Sequence, residues 1–594
     1  MLYPYENEIR EVKDLSGIWR FRADLRGEGR AGRWYAESLR DTVPMPVPAS
    51  YNDLTQDPAI RDHVGEVWYE RTFYAAAAMD RRTVLRFGSA THSATVWVNG
   101  EEAIRHGGGY LPFEADVTRL LRPGQENRLT VAVDNTLSWA TLPPGEVKRT
   151  DLPGLPGGLV RQEYFHDFFN YAGLDRPAKL YTTPLVHISD VTVVTGVEGP
   201  DGLVSYAVEI AGGSPPVRVS LLGEDGAIAA RSEGPRGDLR VPGARLWMPG
   251  EPYLYTLLIQ TIGPNGKVED CYRLPVGIRT VEATKDAFLI NGVPFRFRGF
   301  GKHEDSDLRG KGQDDAVIVK DFSLLQWIGA NSFRTSHYPY ADEIMDMADR
   351  QGIVVIDEVP AVGMHFFQES ERVFTDGRVG PATLERHLQA MRELVARDKN
   401  HACVVMWSVA NEAATYEEQA GPYFRPVVEC ARALDPTRPV TIVHANSSDA
   451  LRSVVGDLFD VVCVNEYHGW YLETGRLEQI EECLLRELKA IRERYGKPIV
   501  VTEFGAEAVA GLHQEPPVMF TEEFQVEFLK RYFRAFDQLD FVIGEHVWCF
   551  ADFATKQELS RVTGNRKGVF TRQRQPKAAA HLLRERWTAA AGTS

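Results

Sequence analysis

The chain of 594 residues carries 67 basic and 83 acidic side chains, a formal net charge of −16, with 43% hydrophobic and 25% charged residues. That is ordinary globular usage, and at ~100–200 residues per domain it allows about three to five domains. The acidic balance offers no basic face to a nucleic-acid backbone, and no apolar run approaches the ~20 residues of a membrane helix, so neither partner is expected. The segment from Met1 to Asp14 is charged and lacks the apolar centre of a signal peptide, so the chain reads as soluble and cytoplasmic. Six cysteines (Cys271, Cys403, Cys430, Cys463, Cys483 and Cys549) contain no CxxC pair, which suits reduced thiols better than a disulfide framework or a zinc site. Asn446-Ser447-Ser448 fits a glycosylation sequon but carries little weight without a secretory leader.

The first 184 residues read as short strands rich in Val, Trp, Tyr and Phe: Gly17–Arg22, Val67–Phe73, Thr83–Phe87, Ala94–Val98 and Leu129–Asp134. Asn99-Gly100 is a hairpin signal, because both residues tolerate positive φ. A jelly-roll-like β-sandwich is expected over 1–184, with Trp68 and Trp97 in its core rather than in a ligand site. Gly107-Gly108-Gly109 lacks the Lys-Ser/Thr of a phosphate loop and reads as a turn. Over 185–277 the strands Val191–Val194, Val204–Ile210, Val217–Leu222 and Tyr253–Gln260 alternate as in an immunoglobulin-like sandwich without a disulfide.

From 278 to 594 the pattern is strand, loop, helix, repeated. Strands are expected at Phe295–Gly299, Ala330–Arg334, Ile353–Ile356, Val404–Val409, Val440–Val443, Val461–Val464, Ile499–Thr502 and Ile543–Trp548. Helices are expected at Asp314–Ile328, Ala341–Gln351, Pro381–Asp398, Tyr423–Leu434, Leu477–Tyr495, Thr521–Gln538 and Lys577–Arg586, with a weak one between Asn446 and Phe459. Eight such repeats predict a (β/α)8 TIM barrel, whose chemistry sits at the carboxyl ends of the strands.

Those ends carry Lys302-His303-Glu304-Asp305, Arg334-Thr335-Ser336-His337-Tyr338-Pro339, Asp357-Glu358, Ser408 with Asn411 and Glu412, Asn465-Glu466-Tyr467-His468, Thr502-Glu503, and Glu545, His546 and Trp548. Glu412 on strand 4 and Glu503 on strand 7 would face each other across the barrel mouth. Two opposed carboxylates suit glycoside hydrolysis, one protonating the leaving oxygen and the other attacking the anomeric carbon. A metal reading of His303, His337, Glu304, Asp305 and Glu358 lacks HxH or HExxH spacing, so no metal and no cofactor is expected.

These motifs identify a resemblance. Gly65-Glu66-Val67-Trp68-Tyr69, Tyr164-Phe165-His166-Asp167-Phe168-Phe169-Asn170-Tyr171-Ala172-Gly173, Leu246-Trp247-Met248-Pro249 and the strand-end runs through Trp407-Ser408-Val409-Ala410-Asn411-Glu412 and Thr502-Glu503-Phe504-Gly505 resemble the bacterial β-glucuronidases of glycoside hydrolase family 2. The resemblance implies a retaining exo-β-glucuronidase, with β-galacturonidase or bifunctional uronidase as the alternative and a non-catalytic sugar-binding scaffold disfavoured by the intact glutamates. It implies Glu412 as acid/base, Glu503 as nucleophile, Asn411 at the sugar 2-hydroxyl and Tyr467 steadying the nucleophile. Asn565-Arg566-Lys567 is similar to the family's Asn-x-Lys motif, so Asn565 and Lys567 are expected to hold the C6 carboxylate. Asp167, Asn465, Tyr471, Trp548 and Arg561 are expected around the sugar, together with His303 and His337. The connection from Gly363 to His387, with Phe366, Phe367 and Glu369-Ser370-Glu371-Arg372, is shorter than the long lid of some members. That implies an open site for larger glucuronides or oligosaccharide ends. A homo-oligomer, tetramer or dimer, is expected from the same resemblance.

Overall fold

The computed structural model describes residues 1–75, 81–150, 159–367 and 371–591. Its first part is a sandwich of a six-stranded and a four-stranded antiparallel sheet. The strand Glu66–Tyr74 pairs with Glu126–Asp134, which pairs in turn with Ser93–Val98. Along them Val67, Tyr69, Phe73, Val96, Val98, Val131 and Val133 point inward to one core, as a period of two requires. Asn99 (φ 54°) and Gly100 (φ 87°) turn the chain from Ser93–Val98 into Glu101–Gly107, as the dipeptide predicts.

Trp68 and Trp97 depart from expectation. They are buried, but on the outer face of the six-stranded sheet, in a small separate cluster with Leu39, Ala132, Trp34 and Tyr35. Their rings stack at 5.4 Å, and Tyr35 stacks on Trp97 at 4.8 Å. The physical reason is parity: each lies one residue off the inward-facing set, so the pleat turns it outward.

The next part holds a three-stranded sheet (His187–Glu198, Asp201–Ala211, Arg236–Val241) over a four-stranded one (Ile228–Glu233, Val217–Leu222, Tyr255–Ile262, Val268–Val276). It meets the barrel through backbone carbonyls. Arg279 donates to the carbonyls of Ala402 and Val404, both at 2.7 Å, and Trp247 Nε1 donates to that of Asp349 at 2.8 Å.

The barrel closes with parallel strands β1 (Phe297–Gly301), β2 (Ser332–Arg334), β3 (Val354–Glu358), β4 (Val404–Asn411), β5 (Val440–His444), β6 (Val462–Asn465), β7 (Ile499–Glu503) and β8 (Val542–Trp548). The helices are α1 (Asp315–Ile328), α2 (Asp342–Gln351), α3 (Pro381–Asp398), α4 (Ala420–Leu434), α5 (Ser447–Arg452), α6 (Ile480–Tyr495), α7 (Glu522–Phe536) and α8 (Ala578–Ala591). Their ends follow local chemistry. Asp314 caps α1 by accepting from Ala316 N, and Gly329 ends it at φ 80°. Thr521 caps α7 by accepting from Phe524 N. The weak segment between β5 and β6 holds α5, one and a half turns capped by Asn446. His387, taken as the end of the loop after β3, lies on α3 and is bonded to the Val409 carbonyl at 2.8 Å. Glu369 and Ser370 of that loop lie outside the described residues. Among the described residues no helix is long and apolar enough to cross a membrane.

The sandwich docks on the carboxyl rim of the barrel through buried charge. Lys311, between β1 and α1, bonds Asp175 at 2.8 Å and Thr91 at 2.8 Å. Arg176 bonds Glu304 at 3.0 Å and the Pro339 carbonyl at 2.6 Å. Removing one partner of a buried pair leaves an uncompensated charge and costs about 3–5 kcal/mol. Lys311→Met is therefore expected to lower the apparent Tm clearly in calorimetry. An unchanged Tm would show that the pair is not needed to dock the two parts.

Candidate active site

The cavity at the carboxyl end of the barrel has a volume of about 450 Å³. Glu412, Glu503, Asn411, Tyr467, Tyr471, Trp548, His337, Asp167 and Arg561 line it. A larger hollow of about 740 Å³ lies at the opposite end of the barrel, against Phe295, Phe536 and Trp587, and its two carboxylates, Asp537 and Glu545, are both bonded by Arg586.

Beneath the cavity floor lies Arg334, the last residue of β2, with no solvent exposure. Its Nη1 donates to both oxygens of Glu358 at 2.8 and 2.9 Å, and its Nη2 donates to Glu503 Oε1. Burial would raise the Glu358 carboxyl, but the Arg334 charge and hydrogen bonds from His337 and Ser408 outweigh it and hold the group below its ordinary value. The second oxygen of Glu503 accepts from the Tyr467 hydroxyl at 2.8 Å. Both oxygens of Glu503 thus face donors, which suits an ionised carboxylate.

Glu412 stands in a different environment. It follows β4 directly in a left-handed conformation (φ 51°) and its amide bonds the Val443 carbonyl at 2.8 Å on β5. A register shift between Ser408 and Asn411 re-aims the end of β4 toward the axis. Its Oε1 accepts from Asn465 Nδ2 at 2.8 Å, and Asn465 is fixed in turn by Thr502 at 2.9 Å. No cation bonds it among the described residues. Burial, and next the charge of Glu503, push its carboxyl up to about 8. Two like residues thus stand in unlike environments: one carboxyl is pushed up by burial while its neighbour accepts from a guanidinium.

A cationic corner closes one side. Arg561 donates to Asp167 at 2.9 Å, Glu507 at 2.7 Å and the Tyr471 hydroxyl at 2.7 Å. Lys567 Nζ reaches the same Tyr471 hydroxyl at 2.7 Å and Glu507 at 3.5 Å. Asn565 Nδ2 donates to Asp167 at 2.8 Å, and its Oδ1 accepts from Lys567 N at 2.9 Å. Burial would raise the Asp167 carboxyl, but Arg561 outweighs it and holds the group low. Asp167 comes from the sandwich, where the segment after the strand Leu159–Tyr164 reaches over the rim.

The sequence-predicted residues are thus gathered, with differences in placement. His337 stacks on Trp548 at 5.0 Å with Nδ1 3.0 Å from Glu358. His303 lies behind the wall, packed on Phe553 (4.4 Å) and Phe168 (5.0 Å), with Nδ1 3.2 Å from the Tyr338 hydroxyl. Two strand-8 residues do not belong at the mouth. His546 lies inside the barrel, 2.9 Å from Ser332 Oγ, and Glu545 is held by Arg586 at 2.9 Å on α8 at the opposite end. Both lie two or more residues short of the strand end, so alternation and depth take them away from the rim. Glu304 and Asp305 are ion-paired to Arg176 and Arg572, which ties them to docking contacts.

Several residues of the cavity escaped the sequence. Arg334 stands at a strand end with no role readable from sequence, and Glu358 is read there only as a candidate metal ligand. Glu507, four residues beyond Glu503, gave no signal. Phe165, His365 and Phe367 line the outer wall. Phe165 stacks on Trp139 at 5.3 Å, and Phe366 meets it edge-on at 5.0 Å. His166 also lines the cavity, and neither of its ring nitrogens has a hydrogen-bond partner among the described residues.

A barrel with two glutamates at its mouth, one with its carboxyl pushed up by burial and one ion-paired, defines the glycoside hydrolase class. The description "Glycosyl hydrolases family 2, TIM barrel domain" matches residues 281–591, the family's sugar binding domain matches 12–184, and a third family 2 description matches 186–279. The chain belongs to glycosyl hydrolase family 2. It is 57% identical to a β-glucuronidase of Paenibacillus borealis over 99% of this chain and 98% of that one. The structure of a β-D-glucuronidase from Dictyoglomus thermophilum superposes with a TM-score of 0.94 at 51% identity, covering 99% of each chain. The β-glucuronidase of Ruminococcus gnavus in complex with D-glucuronic acid superposes with a TM-score of 0.92 at 40% identity, again covering 99% of each.

Difference infrared spectroscopy across pH tests the inequality of the glutamates. A protonated carboxyl band absent from Glu412→Gln should persist below and vanish on passing about 8. In Glu503→Gln, where the neighbouring charge is gone, the midpoint should move down. A band already lost in the ordinary carboxylate range would show that Glu412 holds no proton near neutrality.

Proposed function

We propose that the protein is a retaining exo-β-glucuronidase. The carrying observation is the Tyr471 hydroxyl, which accepts from both Arg561 and Lys567 in the cavity that holds Glu412 and Glu503. A neutral phenol oxygen is a weaker acceptor than a carboxylate, so a sugar carboxylate entering this corner improves both cationic hydrogen bonds. The names of the close relatives support the same substrate. The C4 hydroxyl distinguishes glucuronide from galacturonide, and the relatives' names favour the former.

In this reading Glu503 attacks the anomeric carbon, held for attack by Arg334 and Tyr467. Glu412 gives its proton to the glycosidic oxygen as the bond breaks. Asn411, which accepts from Arg334 at 3.3 Å, is placed for the sugar 2-hydroxyl, where a contact strengthens at the oxocarbenium-like transition state. Water then attacks the glycosyl-enzyme, Glu412 takes its proton, and β-glucuronic acid leaves. Asp167, Asn465, Trp548 and His337 complete the sugar site, with His303 supporting from behind. Residues 1–184, 185–277 and 278–594 form the proposed sugar-binding-like, immunoglobulin-like and catalytic units. Six unpaired cysteines suit the reducing cytoplasm, where we place a homo-oligomer.

p-Nitrophenyl β-D-glucuronide, galacturonide and glucoside, compared side by side, test the reading. The glucuronide should be cleaved best, and NMR at early times should show the β-anomer first. A charged hydrogen bond contributes about 1.5–3 kcal/mol, so Lys567→Ala should cut kcat/KM for the glucuronide ~10–100-fold and for the glucoside far less. Equal losses on both sugars would remove support for carboxylate recognition. Glu503→Ala should be nearly inactive and partly rescued by azide, which gives the α-glycosyl azide. Activity within about tenfold of the parent would overturn the nucleophile assignment.

A further inference from the structure

Behind β6, one histidine is ringed by carboxylates. His468 is 3% exposed, and its Nδ1 lies 2.6 Å from Glu473 Oε2. Its Nε2 lies 2.8 Å from Glu487 Oε2 on α6 and 3.7 Å from Glu466 Oε2. Glu466 has no solvent exposure. Its Oε1 accepts from the Ser447 hydroxyl, while Oε2 has no hydrogen-bond partner among the described residues and faces the imidazole. A buried carboxylate oxygen without a donor is costly, and such groups call for an explanation. Arg486 bonds the other oxygen of Glu487 at 2.8 Å and is itself mostly exposed. Three carboxyl side chains thus crowd one imidazole.

We propose that Glu466, His468 and Glu487 form a binding site for a divalent transition-metal ion of the Zn²⁺ type. The three donor atoms lie within 4.8 Å of one another. A tetrahedral ion with bonds of about 2.0–2.1 Å spaces its ligands ~3.3 Å apart, between the two separations from Nε2 seen here. One imidazole with two carboxylates suits a borderline cation better than an all-oxygen ion such as Ca²⁺. Glu473 on the far ring nitrogen is the carboxylate that orients a metal-bound histidine. The ion takes the place of the proton between Nε2 and Glu487, and it gives Glu466 Oε2 a bonded partner where it now has only the imidazole 3.7 Å away. The backbone of the site is fixed by the Tyr532 hydroxyl, 3.1 Å from the carbonyls of Glu466 and His468. The site adjoins Tyr467 but takes no part in the proposed reaction, so it stands or falls separately from that reading.

Full-length protein stripped with a chelator and dialysed should bind one equivalent of Zn²⁺ in calorimetry. Co²⁺ in its place should give the visible absorption of a tetrahedral site. Glu487→Gln and Glu473→Gln, at partly exposed side chains, should keep the fold and lower Zn²⁺ affinity at least ~10-fold. Glu493→Gln, on the exposed side of α6, should leave affinity unchanged. Binding well below one equivalent in the parent, or parental affinity in both Glu487→Gln and Glu473→Gln, would overturn the proposal.

Discussion

Arg334 carries a full charge at a point that water does not reach, and that burial sets the terms for the rest of the site. A buried guanidinium costs several kcal/mol unless carboxylates compensate it with good geometry. Here Glu358 takes one edge of the guanidinium and Glu503 the other. Glu358 is fixed further by Ser408 at 2.7 Å and His337 at 3.0 Å, and Glu503 by Tyr467. Strands β2, β3, β4 and β7 are thereby locked in register at their ends by charge as well as by the ladder. Glu503 cannot swing away without leaving Arg334 half-compensated, so the proposed nucleophile is held in place before any substrate arrives.

The same constraint divides two chemically identical side chains. Glu503 receives the cation and a phenol, whereas Glu412 receives one amide donor and the repulsion of Glu503. The environment, rather than the residue type, pushes the Glu412 carboxyl up to about 8. Its left-handed backbone conformation is costly for a residue with a side chain and is tolerated where surrounding hydrogen bonds over-determine it.

The sandwich is part of the site rather than an attachment to it. Its long segment beyond Tyr164 carries Asp167 to the cationic corner and Phe165 to the outer wall, while Asp175 and Arg176 anchor it by buried ion pairs. Asp167 meets Arg561 and Asn565 across almost four hundred residues of sequence. A flat docking contact would not position that carboxylate; two buried ion pairs of defined geometry do.

Much of this architecture was legible in the chain itself. Continuous runs such as Val404-Val405-Met406 and Ile499-Val500-Val501 are buried on both faces and could only be barrel strands, and the residues at their ends pointed to Glu412 and Glu503. The hairpin at Asn99-Gly100 is local chemistry, so it too could be read directly. Other features depend on which face or depth a side chain takes. Parity put Trp68 and Trp97 outside the sandwich core, and depth along β8 took Glu545 to the opposite end. Arg334 could be seen at a strand end, but its role as the shared counter-charge of Glu358 and Glu503 could not. Glu507 could not be seen at all. Periodicity and turn chemistry act between near neighbours, and the sequence alone carries them. Compensation of buried charge acts between residues brought together only by closure of the barrel, and the tertiary structure alone decides it.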